Sequence, residues 1–224
     1  MSGLLIMSTA LAPTPSPSNV VACSRTDAAV LTEIYRDDCN IAIWERQLSG
    51  ALQQEVTAFL AAHPQFSASM SLAPATAGTS DSLGRLRTFP RLAEDISELV
   101  DMFCCLFDVT IAGLRLTALA QPMCPRFHVD HVPCRLVTTF QGPATQWLAH
   151  EHVNRDKLGS GSKGKTDETS GLYSCPTDTQ QASPGDILLL KGERWAGNEG
   201  RGLVHRSPAV ADNEQRLLLT LDLI

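Results

Sequence analysis

Arg126-Phe127-His128-Val129-Asp130-His131 sets an imidazole and a carboxylate two residues apart in a segment that reads as a β-strand. In an extended chain residues i and i+2 point to the same side. The reading therefore puts His128 and Asp130 on one face, looking into a sheet or barrel, and His131 on the other. An inward carboxylate is unfavourable unless it is paired or bound to a metal, so Asp130 calls for a partner. Residues 202–224 supply two more candidates: His205, on a short strand that stops before Pro208, and Arg216, which opens the last strand. Arg216, Leu218, Thr220 and Asp222 share one face of that strand, and Leu217, Leu219 and Leu221 the other. Two imidazoles and one carboxylate leave coordination positions open, a donor set suited to non-haem Fe(II) rather than to a closed structural site.

Around this stretch the pattern is β-like from Gly113 onward. Residues 114–120 alternate, 127–140 read as one long strand bent near Pro133, and 145–153 read as another. Pro184-Gly185-Asp186 turns into an apolar strand at 187–190, and 202–205 and 216–224 close the set. Residues 159–171 form a polar loop. The preceding part is more helical. After a strand-like alternation at 40–44, apolar residues 48, 52, 56, 59 and 60 mark an amphipathic helix that His63-Pro64 ends. Pro90 opens a second helix, with Leu92, Ile96, Leu99, Val100, Phe103 and Leu106 on one side and Glu94, Asp95, Glu98 and Asp101 on the other. The Ser/Pro/Ala-rich residues 1–25 read as a mobile tail. The expected architecture is one domain over 26–224, mostly β with α: a helical part at 26–112 packed on an antiparallel barrel or double sheet at 113–224.

With 224 residues, 43% of them hydrophobic, the chain can bury an ordinary core. Its net charge of −6 and scattered Lys and Arg argue against nucleic acid as a partner. The one local basic group, Lys157, Lys163 and Lys165, is interleaved with Asp156, Asp167 and Glu168 and reads as a solvated loop. Seven cysteines without framework spacing indicate a reduced, cytoplasmic protein. The N-terminus lacks a basic n-region and prolines interrupt its apolar run, so no signal peptide is expected. No run approaches the ~18 apolar residues of a membrane span.

The order of the four candidates carries more information than the triplet: H-x-D, a long gap, His205, then Arg216 eleven residues on. This order resembles the signature of the Fe(II)/2-oxoglutarate-dependent dioxygenases over roughly residues 114–224. The resemblance implies a double-stranded β-helix, a jelly-roll of cupin type. It further implies Fe(II) held by His128, Asp130 and His205, with Arg216 clamping the distal carboxylate of 2-oxoglutarate. One departure is Leu218, where many members carry Ser or Thr two residues after the arginine. The phrases HVDHVPCRL (128–136), GDILLLKG (185–192) and GNEGRGLVHRSP (197–208) are also similar to a bacterial family of unknown function linked to zinc-responsive gene neighbourhoods. The reading is thus an oxygenase that hydroxylates or demethylates a small-molecule or protein substrate. A non-catalytic metal-binding or sensing protein of the same fold, serving zinc homeostasis, is the alternative.

Other residues compete for the metal. His150 and His152 form an H-x-H pair of the kind cupins use, although the polar residues after them read as a strand leaving the core. Cys124 and Cys134 near the triplet raise a mixed sulfur and nitrogen zinc site, without a diagnostic spacing. His131 reads as an outward or supporting residue. Arg126, Arg135 and Arg206 read as a solvated rim that could favour an anionic substrate.

Overall fold

In the computed structural model, which describes residues 20–77, 84 and 86–224, the chain runs through strands and helices in alternation before a β-rich second half. The elements are β1 (Val21–Arg25), a 3-10 helix (Ala28–Tyr35), β2 (Cys39–Trp44), α1 (Gly50–Ala62), β3 (Ser67–Leu72), the single turn α2 (Pro74–Ala77) and α3 (Pro90–Phe107). They continue through β4 (Ala112–Leu119), β5 (Cys134–Gln141), β6 (Gln146–Leu148), the turn α4 (Asp167–Ser170), β7 (Thr179–Gln181), β8 (Ile187–Lys191), β9 (Val204–Arg206) and β10 (Arg216–Leu223).

The helices form where capping and periodicity agree. Ser49 caps α1 by accepting from the Leu52 N–H at 3.2 Å, and Leu52, Val56, Phe59 and Leu60 give it one buried face. Pro90 sits in the first turn of α3, which lacks a side-chain cap of its own. Glu55 of α1 substitutes for it, accepting from the N–H groups of Arg91 and Leu92 at 2.8 and 3.1 Å. A carboxylate there also meets the positive end of the helix dipole, so the cap ties the two helices together.

Seven strands form an open sheet in the order β1-β2-β8-β5-β10-β4-β3, and three form a second sheet, β7-β6-β9. All pairs are antiparallel except β1 with β2. The alternation along β10 divides the interior. Leu217, Leu219 and Leu221 join α1 and α3 in the main core, whereas Leu218 packs with Ile43, Val137, Leu188 and Leu203 on the side where Trp147 of the small sheet stands. A third cluster, Phe127, Leu148, Leu172 and Val204, packs with Val153 and Leu158 on the other face of the small sheet.

The mostly β class with helices matches the sequence reading, but three boundaries do not. Residues 21–25 are a strand rather than tail: β1 lies at the sheet edge, fixed by bonds such as Val21 N–H to Asp38 O at 2.7 Å. Four of its five side chains are exposed, so it carries no apolar period to reveal it. Residues 1–19 of the expected tail lie outside the described residues. The 26–112 part is not a separate helical layer either, because β2 and β3 from it belong to the large sheet. The third correction is the expected long strand at 127–140. Only His128 makes a bridge, residues 129–133 bend, and the strand resumes at Cys134. Pro133 has no N–H for a ladder, and the bend takes its partners from elsewhere: Asp130 O accepts from the Glu193 N–H at 3.0 Å and Pro133 O from the Gly192 N–H at 2.9 Å. Gly192 is required for that approach, since a Cβ there would run into the Val132 carbonyl. Among the described residues no helix is long and apolar enough to cross a membrane.

Candidate metal and anion site

His128 and His205 meet across an isolated antiparallel bridge, each N–H donating to the other's carbonyl at 3.0 Å. Their rings lie 4.6 Å apart between centroids. The Nδ1 of His128 is 2.9 Å from the Arg126 carbonyl, and that of His205 is 3.2 Å from the Leu203 carbonyl. A carbonyl can only accept, so both Nδ1 atoms carry a proton; in the neutral imidazoles the Nε2 lone pairs are then free, and in the protonated ones Nε2–H can donate to a carboxylate. The free nitrogens face one carboxylate: His128 Nε2 is 3.6 Å from Asp130 Oδ1, and His205 Nε2 is 3.5 Å from Asp130 Oδ2. Among the described residues these three are the one group of His, Cys, Asp or Glu with donor atoms clustered closely enough for an ion, all within 4.8 Å.

Asp130 reaches the group from the bend rather than from a strand, so the i, i+2 premise fails locally although the two side chains do converge. Arg135, at the start of β5, donates from Nη1 to Asp130 Oδ2 at 2.7 Å. Its Nε and Nη2 hold Asp222 of β10 in a two-point pair at 2.7 and 3.0 Å. Burial pushes the Asp130 carboxyl up, but hydrogen bonds with His128 and His205 and the nearby positive charges prevail and hold it well below the usual carboxylate range. The His128 imidazole is raised, chiefly by its hydrogen bond to Asp130, against the opposing effect of burial.

Arg216 is only 1% exposed. Its guanidinium donates to Thr139 Oγ1 from Nε and Nη2 at 3.3 and 3.1 Å, to Thr145 Oγ1 at 3.1 Å and to Ser207 Oγ at 3.0 Å. All of these acceptors are neutral hydroxyls, and burial alone pulls the group down to about 10. Leu218, where a hydroxyl residue was missing from the pattern, packs in the apolar cluster between the sheets. The hydroxyls come instead from β5, from the residue before β6 and from the residue after β9.

The competing residues stand apart. His131 is exposed. His150 and His152 lie on a 3-10 turn, not a strand; His150 contacts Arg155 at 3.3 Å and His152 faces Asp178 at 3.7 Å. Cys134 is fully buried in the main core, where desolvation pushes its thiol up, and Cys124 is exposed. The three rim arginines are occupied by acids. Arg135 holds Asp130 and Asp222, while Arg126 and Arg206 both reach Asp167, at 2.7 and 3.3 Å. Asp167 reads from the sequence as one acid of a solvated loop, yet it is 3% exposed. Thr139, Thr145 and Ser207 were missed; the last was detectable as a hydroxyl two residues beyond His205.

The family model described as "Protein of unknown function (DUF1826)" matches residues 25–222. The chain belongs to that family. No curated protein sequence matches it. Among solved structures, this DUF1826 chain is similar to a rice dioxygenase for auxin oxidation, at 13% identity and a TM-score of 0.51 over 92% of this chain and 83% of that one. A Pseudomonas putida prolyl-4-hydroxylase follows at 12% identity and a TM-score of 0.45, over 87% of this chain and 96% of that one. HygX from Streptomyces hygroscopicus, solved with nickel, 2-oxoglutarate and hygromycin B, is 12% identical with a TM-score of 0.41, over 87% and 86%. The likeness to the rice enzyme is one of fold: this DUF1826 protein has a dioxygenase-like fold.

Proposed function

We propose that this protein is an Fe(II)/2-oxoglutarate-dependent oxygenase. Its two sheets form a double-stranded β-helix; His128, Asp130 and His205 hold the metal, and Arg216 binds the distal carboxylate of the keto acid. The donor set fits the metal, with two Nε2 lone pairs and a carboxylate facing one another. The observation that carries the reading beyond a bare metal site is Arg216. A guanidinium buried to 1% exposure and supported only by hydroxyls is a charge without its counter-charge. A carboxylate would supply it through two parallel hydrogen bonds.

Held by these residues, Fe(II) and 2-oxoglutarate would together supply oxidation of a substrate by O2, coupled to conversion of the keto acid to succinate and CO2. The chain's own residues prepare that chemistry. The carbonyls of Arg126 and Leu203 hold the two imidazoles with Nε2 inward. Arg135 restrains the Asp130 carboxylate and is itself fixed by Asp222. Thr139, Thr145 and Ser207 keep the Arg216 guanidinium in place, and the apolar cluster around Leu218 and Val137 excludes water beside it. The reading predicts hydroxylation or demethylation of a substrate.

Titrating the anaerobic Fe(II) protein with 2-oxoglutarate tests this. A visible charge-transfer band that Arg216→Met abolishes supports the reading. Tight Zn(II) binding lost in His128→Ala, with no such band and no succinate formed, would replace it with the metal-sensing alternative.

A further inference from the structure

We propose that Asp167, from the loop outside the small sheet, is a positioning residue that sets both metal-facing imidazoles. The inference rests on the assignment of His128 and His205 as ligands. The bridge between these two residues is isolated, and the two segments share one more backbone bond, from the Ser207 N–H to the Cys124 carbonyl at 2.9 Å. One bridge fixes register weakly, and slippage by a residue would turn a side chain to the opposite face. Asp167 adds a side-chain restraint to both segments from behind.

Its carboxylate is 3% exposed and accepts three hydrogen bonds. Oδ1 takes Arg126 Nε at 2.7 Å; Oδ2 takes the Phe127 N–H at 2.8 Å and Arg206 Nη1 at 3.3 Å. Phe127 precedes His128 and Arg206 follows His205, so one side chain grips the residue beside each imidazole. The Arg206 guanidinium also lies over the Phe127 ring at 4.3 Å, closing the contact between the two segments.

The contact with His128 is more direct still. The Phe127 N–H and the Arg126 C=O are the two ends of one planar peptide group. The N–H is held by Asp167, and the C=O accepts the Nδ1–H of His128 at 2.9 Å. Fixing the first end fixes the direction of the second. A negative acceptor on the N–H also polarises the group and makes its carbonyl a better acceptor. Asp167 thereby favours the tautomer that leaves Nε2 of His128 free, from a position that touches neither imidazole.

The experiment compares wild type, Asp167→Ala and Asp167→Asn, with Asp95→Ala as control. Asp95 pairs with Arg46 at 2.7 and 2.9 Å, a partly buried ion pair that touches none of the site residues. Co(II) alone is the metal probe, measured well below each variant's melting temperature. Asp167→Ala is expected to bind Co(II) 10- to 100-fold more weakly, the range for loss of a group that orients a ligand, with an altered visible Co(II) spectrum at saturation. Asp167→Asn keeps one acceptor oxygen for the Phe127 N–H and is expected to fall between wild type and Asp167→Ala, which covers the case in which the alanine variant does not fold. Asp95→Ala is expected to lose stability and keep wild-type affinity and spectrum. Imidazole 1H–15N spectra of the metal-free proteins form the second arm: wild type is expected to show both Nδ1–H tautomers, and the Asp167 variants a shift of His128 towards Nε2–H. Wild-type Co(II) affinity and tautomers in folded Asp167 variants would overturn the inference. If wild type binds no Co(II), the oxygenase reading falls, and the tautomer arm still decides whether Asp167 orients the rings.

Discussion

Arg135 and Arg216 start neighbouring strands of the same sheet and meet opposite electrostatic fates. Arg135 is a quarter exposed in its side chain and bonded to two carboxylates, Asp130 and Asp222. Arg216 is buried to 1% exposure and bonded to three hydroxyl groups. If both were structural, the deeper one would need the acids more, because desolvation of an unpaired charge grows with burial. The inversion supports the proposed reading, in which Arg135 completes the folded protein and Arg216 is kept for an anion from outside. Hydroxyls suit that task. They hold a guanidinium in place without neutralising it, and they can turn to donate to an incoming carboxylate.

Removing each arginine should therefore break the comparison in opposite directions. Arg216→Met is expected to weaken 2-oxoglutarate binding at least 100-fold, about 2.7 kcal/mol, while apo stability stays within about 1 kcal/mol of wild type or rises, as when a buried charge gives way to an apolar side chain. Isothermal titration and urea denaturation read the two quantities separately. A strongly destabilised Arg216→Met would make Arg216 a structural residue. Arg135→Met is expected to lose about 2 kcal/mol of stability, below the range for a fully buried pair because the site is partly exposed. Two carboxylates then lie close together without their cation. Co(II) should partly restore the melting temperature by engaging Asp130.

The hydroxyl set offers a finer test. Thr139 makes two of the guanidinium's four bonds, so Thr139→Val keeps the shape and removes the acceptor. About tenfold weaker 2-oxoglutarate binding is expected, near 1.4 kcal/mol, the range for a hydrogen bond to a charged group. Unchanged affinity would mean that Thr145 and Ser207 alone fix Arg216.

The reach of the sequence differs between these regions for a physical reason. His128, His205 and Arg216 lie on or beside strands, where side-chain direction follows from local periodicity, and their order along the chain resembles a known signature. The helices at 50–62 and 90–107 were legible from the same kind of repeat. Asp130 was also found, but on a premise the structure replaces, because a bend held by Gly192, Glu193 and Arg194 presents it. Asp167, Thr139 and Thr145 were not legible. Each acts through a partner far along the chain, Asp167 through Arg126 and Arg206 and the threonines through Arg216, and no local pattern specifies such a pairing. Edge strand β1 escaped for the opposite reason: four of its five side chains are exposed, so it carries no apolar period, and backbone bonds do most to fix it.

The smallest expected effect concerns pH, and it distinguishes the His128–Asp130 contact from the Arg135–Asp130 contact, since only the imidazole titrates near neutrality. In the metal-free protein His128 is raised above its ordinary value, chiefly by the hydrogen bond to Asp130. A group raised on folding contributes stability fully present below its unfolded pKa, about 6.5, and lost as pH rises through the folded value. Asp130 is depressed, so its contribution is present above about 3.9 and lost only as pH falls through its folded value. Between those limits the metal-free protein should lose a little stability as pH climbs from 6 to 8, a slope that His128→Gln should flatten and Arg135→Met should leave in place. Metal reverses the sign, because the imidazole must be neutral to bind it and affinity then grows with pH. Denaturation at pH 6 and 8, with chelator and with Co(II), should give slopes of opposite sign. Parallel slopes would mean that the proton on His128 and the metal do not compete for the same Nε2.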